Sequence, residues 1–182
     1  MSPRKRSPLT IELTLLGLLQ KGPKHGYELH KEITNSPCLS MIWNVKISKL
    51  YSLLERLEKD DLLTSTYISD EKSPGRKEYK ILNKGQQVFQ DWIQSPVKNG
   101  RDMRLIFHAR LYFALDQGKN AAFELIDEQQ HECQQWIERM QIQAEKFMDI
   151  DFIAKQIYLY RLGQVKAMIS WLENCKSNIL AQ

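Results

Sequence analysis

The side chains of this sequence that can do chemistry are mostly hydrogen-bond donors in two short segments. Lysine and arginine donate to guanine acceptors and to phosphate oxygens, and serine suits either partner. Such clusters indicate contact with a nucleic acid, although cations on an exposed helix are most often only solvating charges. The donors are Lys46, Ser48, Lys49, Ser52 and Arg56 in the first segment, and Lys72, Arg76 and Lys77 in the second.

Patterns for catalysis or metal binding are missing from the sequence. The four histidines lack ligand spacing, and His131 and Cys133 fall on different sides of a helix. The sequence has no phosphate-cradling glycine loop and no nucleophile elbow, and its thiols have no activating partner. It therefore predicts no enzyme, no cofactor and no metal site.

The composition favours a folded protein of the cytoplasm. With 182 residues, 42% of them hydrophobic, and only 8 Gly and 6 Pro, the chain is neither disordered nor low-complexity. Its apolar runs are far shorter than the roughly 20 residues of a membrane span, and its start does not resemble a signal peptide. Three distant cysteines suit a reducing compartment. We expect a soluble cytoplasmic protein without a membrane partner.

Charge is distributed unevenly along the chain. Residues 1–98 carry 16 Lys and Arg against 11 Asp and Glu, whereas residues 99–182 carry 10 against 11. This excess predicts that the first half binds a polyanion, and the basic arm at residues 1–7 can add nonspecific attraction.

The first half reads as three helices followed by a β-hairpin. The helices are predicted from Ser7-Pro8 to Leu19, over 25–33 and over 46–59, with a turn at 35–37 between the last two. Ile47, Leu50, Leu53, Leu54 and Leu57 form the apolar stripe of the third helix. Strands at 62–69 and 77–82 enclose a turn at 70–75. This order is that of a winged helix-turn-helix domain.

The second half is predicted to be entirely helical. A fourth helix over 84–94 ends at the turn 95–100, and helices follow over about 101–116, 119–148 and 151–179. The middle one has a heptad seam, and the last is apolar on two sides, which indicates dimerisation. The predicted dimerisation residues are Ile137, Met140, Phe147, Ile157, Tyr160, Ile169, Trp171 and Leu172.

The expected fold is therefore mainly α with a small β-hairpin. We assign residues 1–97 to a winged helix-turn-helix domain and residues 98–182 to an α-helical dimerisation domain that can also bind an effector.

Several landmarks in order along the chain resemble the PadR family of transcriptional regulators. The opening signature is Leu15-Leu16-Gly17-Leu18-Leu19 followed by residues 22–29, GPKHGYEL. Later matches are Trp43, Leu50-Tyr51, Leu54, Leu57-Glu58, Gly75-Arg76-Lys77, Tyr79, Gly85, Trp92 and the segment 170–173, SWLE.

The sequence departs from the usual family pattern at three positions. Lys49 occupies a position that is commonly small, and we expect it to alter which DNA is read. Asp61 stands where Gly often ends the third helix, and it tolerates a left-handed conformation better than most residues. Asn83 replaces a common Thr, and both residues cap helices.

The resemblance implies a homodimeric regulator, by expectation a repressor, on a pseudo-palindromic operator. Its third helix would enter the major groove, with the wing on the backbone or in the minor groove. It also implies phosphate contacts by Tyr27 and Tyr51, which are equally compatible with core aromatics. An effector pocket near the dimer interface would use Trp92, His108, Phe113 and Trp171, although core packing explains each of them as well.

A second hypothesis uses the same fold without specific DNA binding. In it the winged helix docks a protein, and the long helices assemble a complex. Such a domain would show apolar residues on the outward face of the third helix. The operator, the regulated genes, the effector and the sign of the regulation do not follow from the sequence.

Overall fold

The leucine-rich segment after residue 10 forms the first helix, α1 (Ile11–Leu18). Its apolar residues lie on every side, and Leu13, Leu15, Leu16 and Leu19 are at most 5% exposed. The predicted helix start at Ser7-Pro8 lies outside the residues that this computed structural model describes, which are 10–70, 73–145 and 151–181.

A short helix follows α2 (Gly26–Asn35) that the sequence did not predict. The chain turns at Ser36 as expected and then forms α3 (Pro37–Ile42). The Leu39 N–H donates to Ser36 Oγ at 3.2 Å, and proline is suited to the first helical position. The predicted third helix is therefore the fourth helix of the structure.

Helix α4 (Ile47–Lys59) packs through the predicted apolar stripe, with one exception. Leu50, Leu53, Leu54 and Leu57 are buried, but Ile47 is 39% exposed because it lies in the first turn, beyond the buried leucines. Its assignment to the buried stripe was wrong.

The turn after α4 uses the backbone conformation expected of Asp61. Asp61 has φ 55°, the only positive φ of a non-glycine residue in the described ranges. The Leu62 N–H then donates to the Leu57 carbonyl at 3.0 Å, which closes the helix end. This confirms that an aspartate can replace glycine here.

The sheet has three strands and not two. β2 (Leu63–Asp70) pairs with β3 (Ser73–Ile81), with Tyr67 opposite Lys77 and Ile68 opposite Arg76. A two-residue strand before α2, β1 (Lys24–His25), adds to the free edge of β3 in an antiparallel register. The wing is thereby attached to the start of α2.

The chain divides into two units, Met1–Ile93 and Gln94–Gln182. Helix α5 (Asn83–Gln94) is the last helix of the first unit. The boundary predicted from sequence falls four residues later, at 97/98. Gly85 is needed in α5 because a Cβ there would collide with the Leu62 carbonyl oxygen.

The second unit contains three long helices, as predicted, after a single 3₁₀ turn at Asp102–Arg104. They are α6 (Ile106–Gln117), α7 (Lys119–Ala144) and α8 (Phe152–Leu180). Val165, Leu172 and Ile179, spaced seven residues apart on α8, are buried in the core of this unit. The fold is mainly α with a small sheet, a winged helix followed by a helical unit.

No helix within the described ranges combines the length and the apolar character that crossing a membrane requires.

Candidate functional site

The first turn of α4 is fixed by two hydrogen bonds to the segment that precedes it. Trp43 Nε1 donates to Thr14 Oγ1 of α1 at 3.0 Å, and His30 Nε2 of α2 donates to the Val45 carbonyl at 3.0 Å. Both bonds hold residues 43–45 against the core. They thereby set where α4 begins.

The donors in the first half of α4 point to solvent. Lys46, Ser48, Lys49 and Ser52 are all exposed. Ser52 Oγ donates to the Lys49 carbonyl at 2.8 Å, which leaves its lone pairs as acceptors. This surface presents cations and hydroxyls, with Ile47 as its apolar member.

A groove of about 890 Å³ lies between the start of α2, α4 and the wing. Tyr27 is 60% exposed and Tyr51 is 39% exposed, so neither is a core aromatic. Tyr67 of the wing, Arg76 and Lys77 also line the groove. Phenolic hydroxyls and cations around one groove are suited to phosphate oxygens, and two acids, Glu28 and Glu55, also line it.

The segment His25-Gly26-Tyr27-Glu28 positions this groove. The His25 N–H donates to Glu28 Oε2 at 2.7 Å, which starts α2, and His25 Nδ1 donates to the Lys77 carbonyl at 3.1 Å. A Cβ on Gly26 would lie 2.5 Å from Tyr51 Cε1, so only glycine lets the Tyr51 ring lie there. These contacts join α2, α4 and the wing around Tyr27.

Two of the predicted DNA-binding cations have acidic partners. Arg56 NH1 donates to Glu12 Oε1 at 2.7 Å, and the Glu12 side chain is only 3% exposed. Lys77 Nζ lies 3.9 Å from Glu58 Oε2, so part of its charge is balanced. Lys72 lies outside the described residues.

The second unit buries two polar side chains of α7 that sequence reasoning missed. Gln129 accepts from the Val97 N–H at 2.7 Å and donates to the Val97 carbonyl at 3.2 Å. Glu132, 4% exposed, accepts from Lys98 Nζ at 2.5 Å and from Trp136 Nε1 at 2.8 Å. Gln129 and Glu132 thus clamp the segment that follows α5, and we call them the linker clamp.

The linker clamp gives a prediction for pH. Burial would raise the pKa of Glu132, but hydrogen bonds from Lys98, Arg139 and Trp136 outweigh it and lower the pKa from its usual value of 4.5. A carboxyl group whose pKa is lower in the folded than in the unfolded state stabilises the folded state. This stabilisation is complete above the pKa of the unfolded state and is lost as the pH falls through the pKa of the folded state. We expect the free energy of unfolding to fall more steeply below pH 4.5 in the wild type than in Glu132→Gln, measured by urea denaturation. Parallel pH profiles of the two proteins would contradict this assignment.

A larger cavity of about 1340 Å³ lies in the second unit. His108 and Trp171 line it, and their rings meet edge to face at 5.1 Å between centroids. Phe113 of the predicted effector set is buried against Tyr112, and Trp92 belongs to the first unit, where it packs near Phe89.

The predicted dimerisation residues divide into buried and exposed groups. Leu172 and Ile137 fill the core of the second unit, and Met140, Ile169 and Trp171 are half-buried. Ile157 and Tyr160 are 48% and 67% exposed, and beside them Phe152 and Ile153 are also exposed. Phe147 lies outside the described residues.

The cysteines and histidines of the described ranges form no cluster that can hold a metal ion. All three thiols are free, and burial raises the pKa of Cys38, Cys133 and Cys175. A raised pKa keeps a thiol protonated and unreactive.

Comparisons with known proteins match part of the chain to a family. Residues 15–91 match the transcriptional regulator PadR-like family. An uncharacterized protein of Lysinibacillus sphaericus is 26% identical over 84 residues, which are 46% of this chain and 75% of that protein.

Two crystal structures of Bacillus subtilis PadR are similar over most of the chain. The complex with operator DNA is 24% identical, covers 95% of this chain and 99% of its own, and has a TM-score of 0.45. The complex with p-coumaric acid is 24% identical, covers 96% and 98%, and has a TM-score of 0.39. The likeness to the family is carried by residues 15–91.

Proposed function

We propose that this chain is a member of the PadR-like family of transcriptional regulators, which its residues 15–91 match, and that it binds a specific operator as a homodimeric repressor. Each protomer inserts α4 into the major groove and lays the wing along the adjacent backbone or minor groove. Two copies related by a two-fold axis read a pseudo-palindromic site. A protein of this kind acts on chromosomal DNA and therefore in the cytoplasm, and its DNA affinity responds to an effector.

One observation carries this proposal. The exposed donors of α4 stand on the helix that contributes Tyr51 to a groove, and Tyr27, Arg76 and Lys77 line the same groove. Lys49 supplies a base-edge donor, and the tyrosines and wing cations supply phosphate contacts. Apart from Ile47, the outward face of α4 is polar, which favours DNA over the protein-interaction module.

The dimer is supported by apolar side chains on the first turns of α8. Ile153, Ile157 and Tyr160 follow one another at spacings of four and three residues, so they lie on one face of the helix, and each is at least 48% exposed. A face of this kind is suited to a second copy of the chain.

Gly26→Ala gives a prediction for the groove. The added Cβ would displace the Tyr51 ring, which is exposed and can move without disrupting the core. We expect a fall of about tenfold in affinity for operator DNA, from the loss of roughly 1.4 kcal/mol of contacts in the complex, with a change of less than about 1 kcal/mol in the free energy of unfolding. Anisotropy titration and urea denaturation measure the two effects. Unchanged DNA affinity would remove Tyr51 from the interface.

Selection from a random duplex library tests the proposed function. We expect recovery of two inverted half-sites with centres about 10 bp apart, or a multiple of that spacing. Light scattering of the free protein should give twice the mass of the chain. A library that shows no enrichment after selection would contradict specific DNA binding and favour the protein-interaction module.

A further inference from the structure

The cavity of the second unit carries a marked excess of positive charge. Among the described residues that line it, five are cations and Asp102 is the only acid. The cations are Lys98, Arg101, Arg104, Arg139 and Arg161. Asp102 and the Glu132 carboxylate, which binds two of these cations, balance two of the five positive charges. The remaining excess of three suits the cavity to an anion with several charges.

The lining of the cavity includes aromatic side chains, and contacts hold two of them in place. Trp136 is held by its Nε1 donation to Glu132 at 2.8 Å. Trp171 packs edge to face against Phe107 at 6.0 Å and against His108 at 5.1 Å. Tyr160 also lines the cavity, and its ring is 67% exposed. Rigid aromatic surfaces beside arginines are suited to a planar ring, which can stack on either.

The size of the cavity leaves room for a ring and phosphate groups together. Its volume of about 1340 Å³ lies above the range of about 300–1,000 Å³ of common small-molecule pockets. We propose that this cavity binds a nucleoside phosphate, with the base against the aromatic wall and the phosphate oxygens on the arginines and Lys98. Arginine binds phosphate oxygens through paired hydrogen bonds, and lysine binds them as a point charge.

The same cations link the ligand to the linker clamp. Lys98 and Arg139 line the cavity, and both are also bound to Glu132, at 2.5 Å and 3.0 Å. A phosphate group competes with the Glu132 carboxylate for these two cations. Lys98 lies four residues after the end of α5, so nucleotide binding loosens the clamp where the chain leaves the first unit. The inference names a chemical class for the effector and a path by which its binding reaches the linker clamp. Its coupling to DNA rests on the proposed function.

Calorimetry on the full-length protein without DNA tests the ligand class by itself. ADP and GDP are titrated beside adenosine, pyrophosphate and 4-hydroxybenzoate. We expect at least one of the nucleotides to bind about 30-fold more tightly than any of the three partial ligands, because only a nucleotide offers both ring and charges. Equal affinity of pyrophosphate and the nucleotides would overturn recognition of the ring. Tighter binding of 4-hydroxybenzoate would assign the cavity to singly charged aromatic acids, and a lack of binding by both nucleotides would overturn the proposal.

Two variants locate the binding and separate it from folding. Arg104 and Arg161 are exposed, so Arg104→Ala with Arg161→Ala should leave the fold intact and weaken nucleotide binding by about 100-fold. Glu132→Gln removes the internal competitor, so nucleotide binding should tighten several-fold, which a merely structural role of Glu132 would not produce. Unchanged nucleotide affinity in the arginine variant would overturn this site.

DNA affinity provides the last comparison. The arginine variant should bind operator DNA as the wild type does when nucleotide is absent. A loss of DNA affinity in that state would instead make these arginines part of the DNA interface. In Glu132→Gln without nucleotide, DNA affinity should match that of the nucleotide-bound wild type, and a value equal to that of the free wild type would overturn the coupling. The calorimetric result stands whether or not the protein binds DNA.

Discussion

Replacing Lys49 and Arg76 by alanine together is expected to lower affinity for operator DNA about 1000-fold. Each side chain is exposed: Lys49 lies on α4, the helix of Tyr51, and Arg76 lines the groove with Tyr27 and Tyr51. In a dimer the double variant removes four cationic contacts, and a loss of about 1 kcal/mol for each sums to about three orders of magnitude. Anisotropy titration measures the loss, and the slope of log affinity against log salt should fall in magnitude by about one for each phosphate contact removed.

A matched control removes the same charge elsewhere. Lys119 and Lys166 are exposed in the second unit, so Lys119→Ala with Lys166→Ala changes the net charge equally. This control should lose little DNA affinity, and both double variants should keep the oligomeric mass and unfolding midpoint of the wild type. Retained affinity in the Lys49 and Arg76 variant would show that α4 and the wing are not the DNA interface.

Arg56→Ala is expected to destabilise the first unit by about 3 kcal/mol. The variant leaves the Glu12 carboxylate, 3% exposed, without its ion-pair partner at 2.7 Å. An unpaired buried charge costs about 3–5 kcal/mol, and we take the low end because Arg56 is 28% exposed and its partner therefore lies near solvent. Urea denaturation followed by far-UV circular dichroism measures the effect.

A second substitution and a DNA titration distinguish an ion pair of Arg56 with Glu12 from a contact of Arg56 with DNA. Glu12→Gln in the Arg56→Ala background removes the unpaired charge, so it should recover more than about 1 kcal/mol, while the amide oxygen still accepts from the Thr10 N–H. Arg56→Ala with wild-type stability and reduced DNA affinity would contradict this account and return Arg56 to the DNA interface.

Local patterns predicted most of the first unit. The apolar period of α4, the alternation of the wing strands and the tolerance of Asp61 for a positive φ are properties of short segments, and all three are present. The third helix α3 was missed because its single buried pair, Leu39 and Ile42, is too short to show a period. Strand β1 was missed because two residues form a strand only when β3 is beside them.

Contacts between distant residues account for the other differences. Arg56 and Glu12 are 44 positions apart, so nothing in the sequence around Arg56 indicates an ion pair. The sequence does indicate that Gln129 is unusual. It follows Leu125 and precedes Cys133 at four-residue spacing, so it is a polar residue in an apolar seam. Its partner is the backbone of Val97, 32 residues away, which the seam alone does not identify.

Binding of the full-length protein to the DNA upstream of its own coding region tests the central claim most directly. The titration is run from about 50 to 200 mM salt, beside an unrelated fragment of equal length. The account predicts tighter binding to the upstream DNA, with log affinity falling linearly and steeply with log salt. An absence of binding to either fragment at the lowest salt would contradict a DNA-binding regulator.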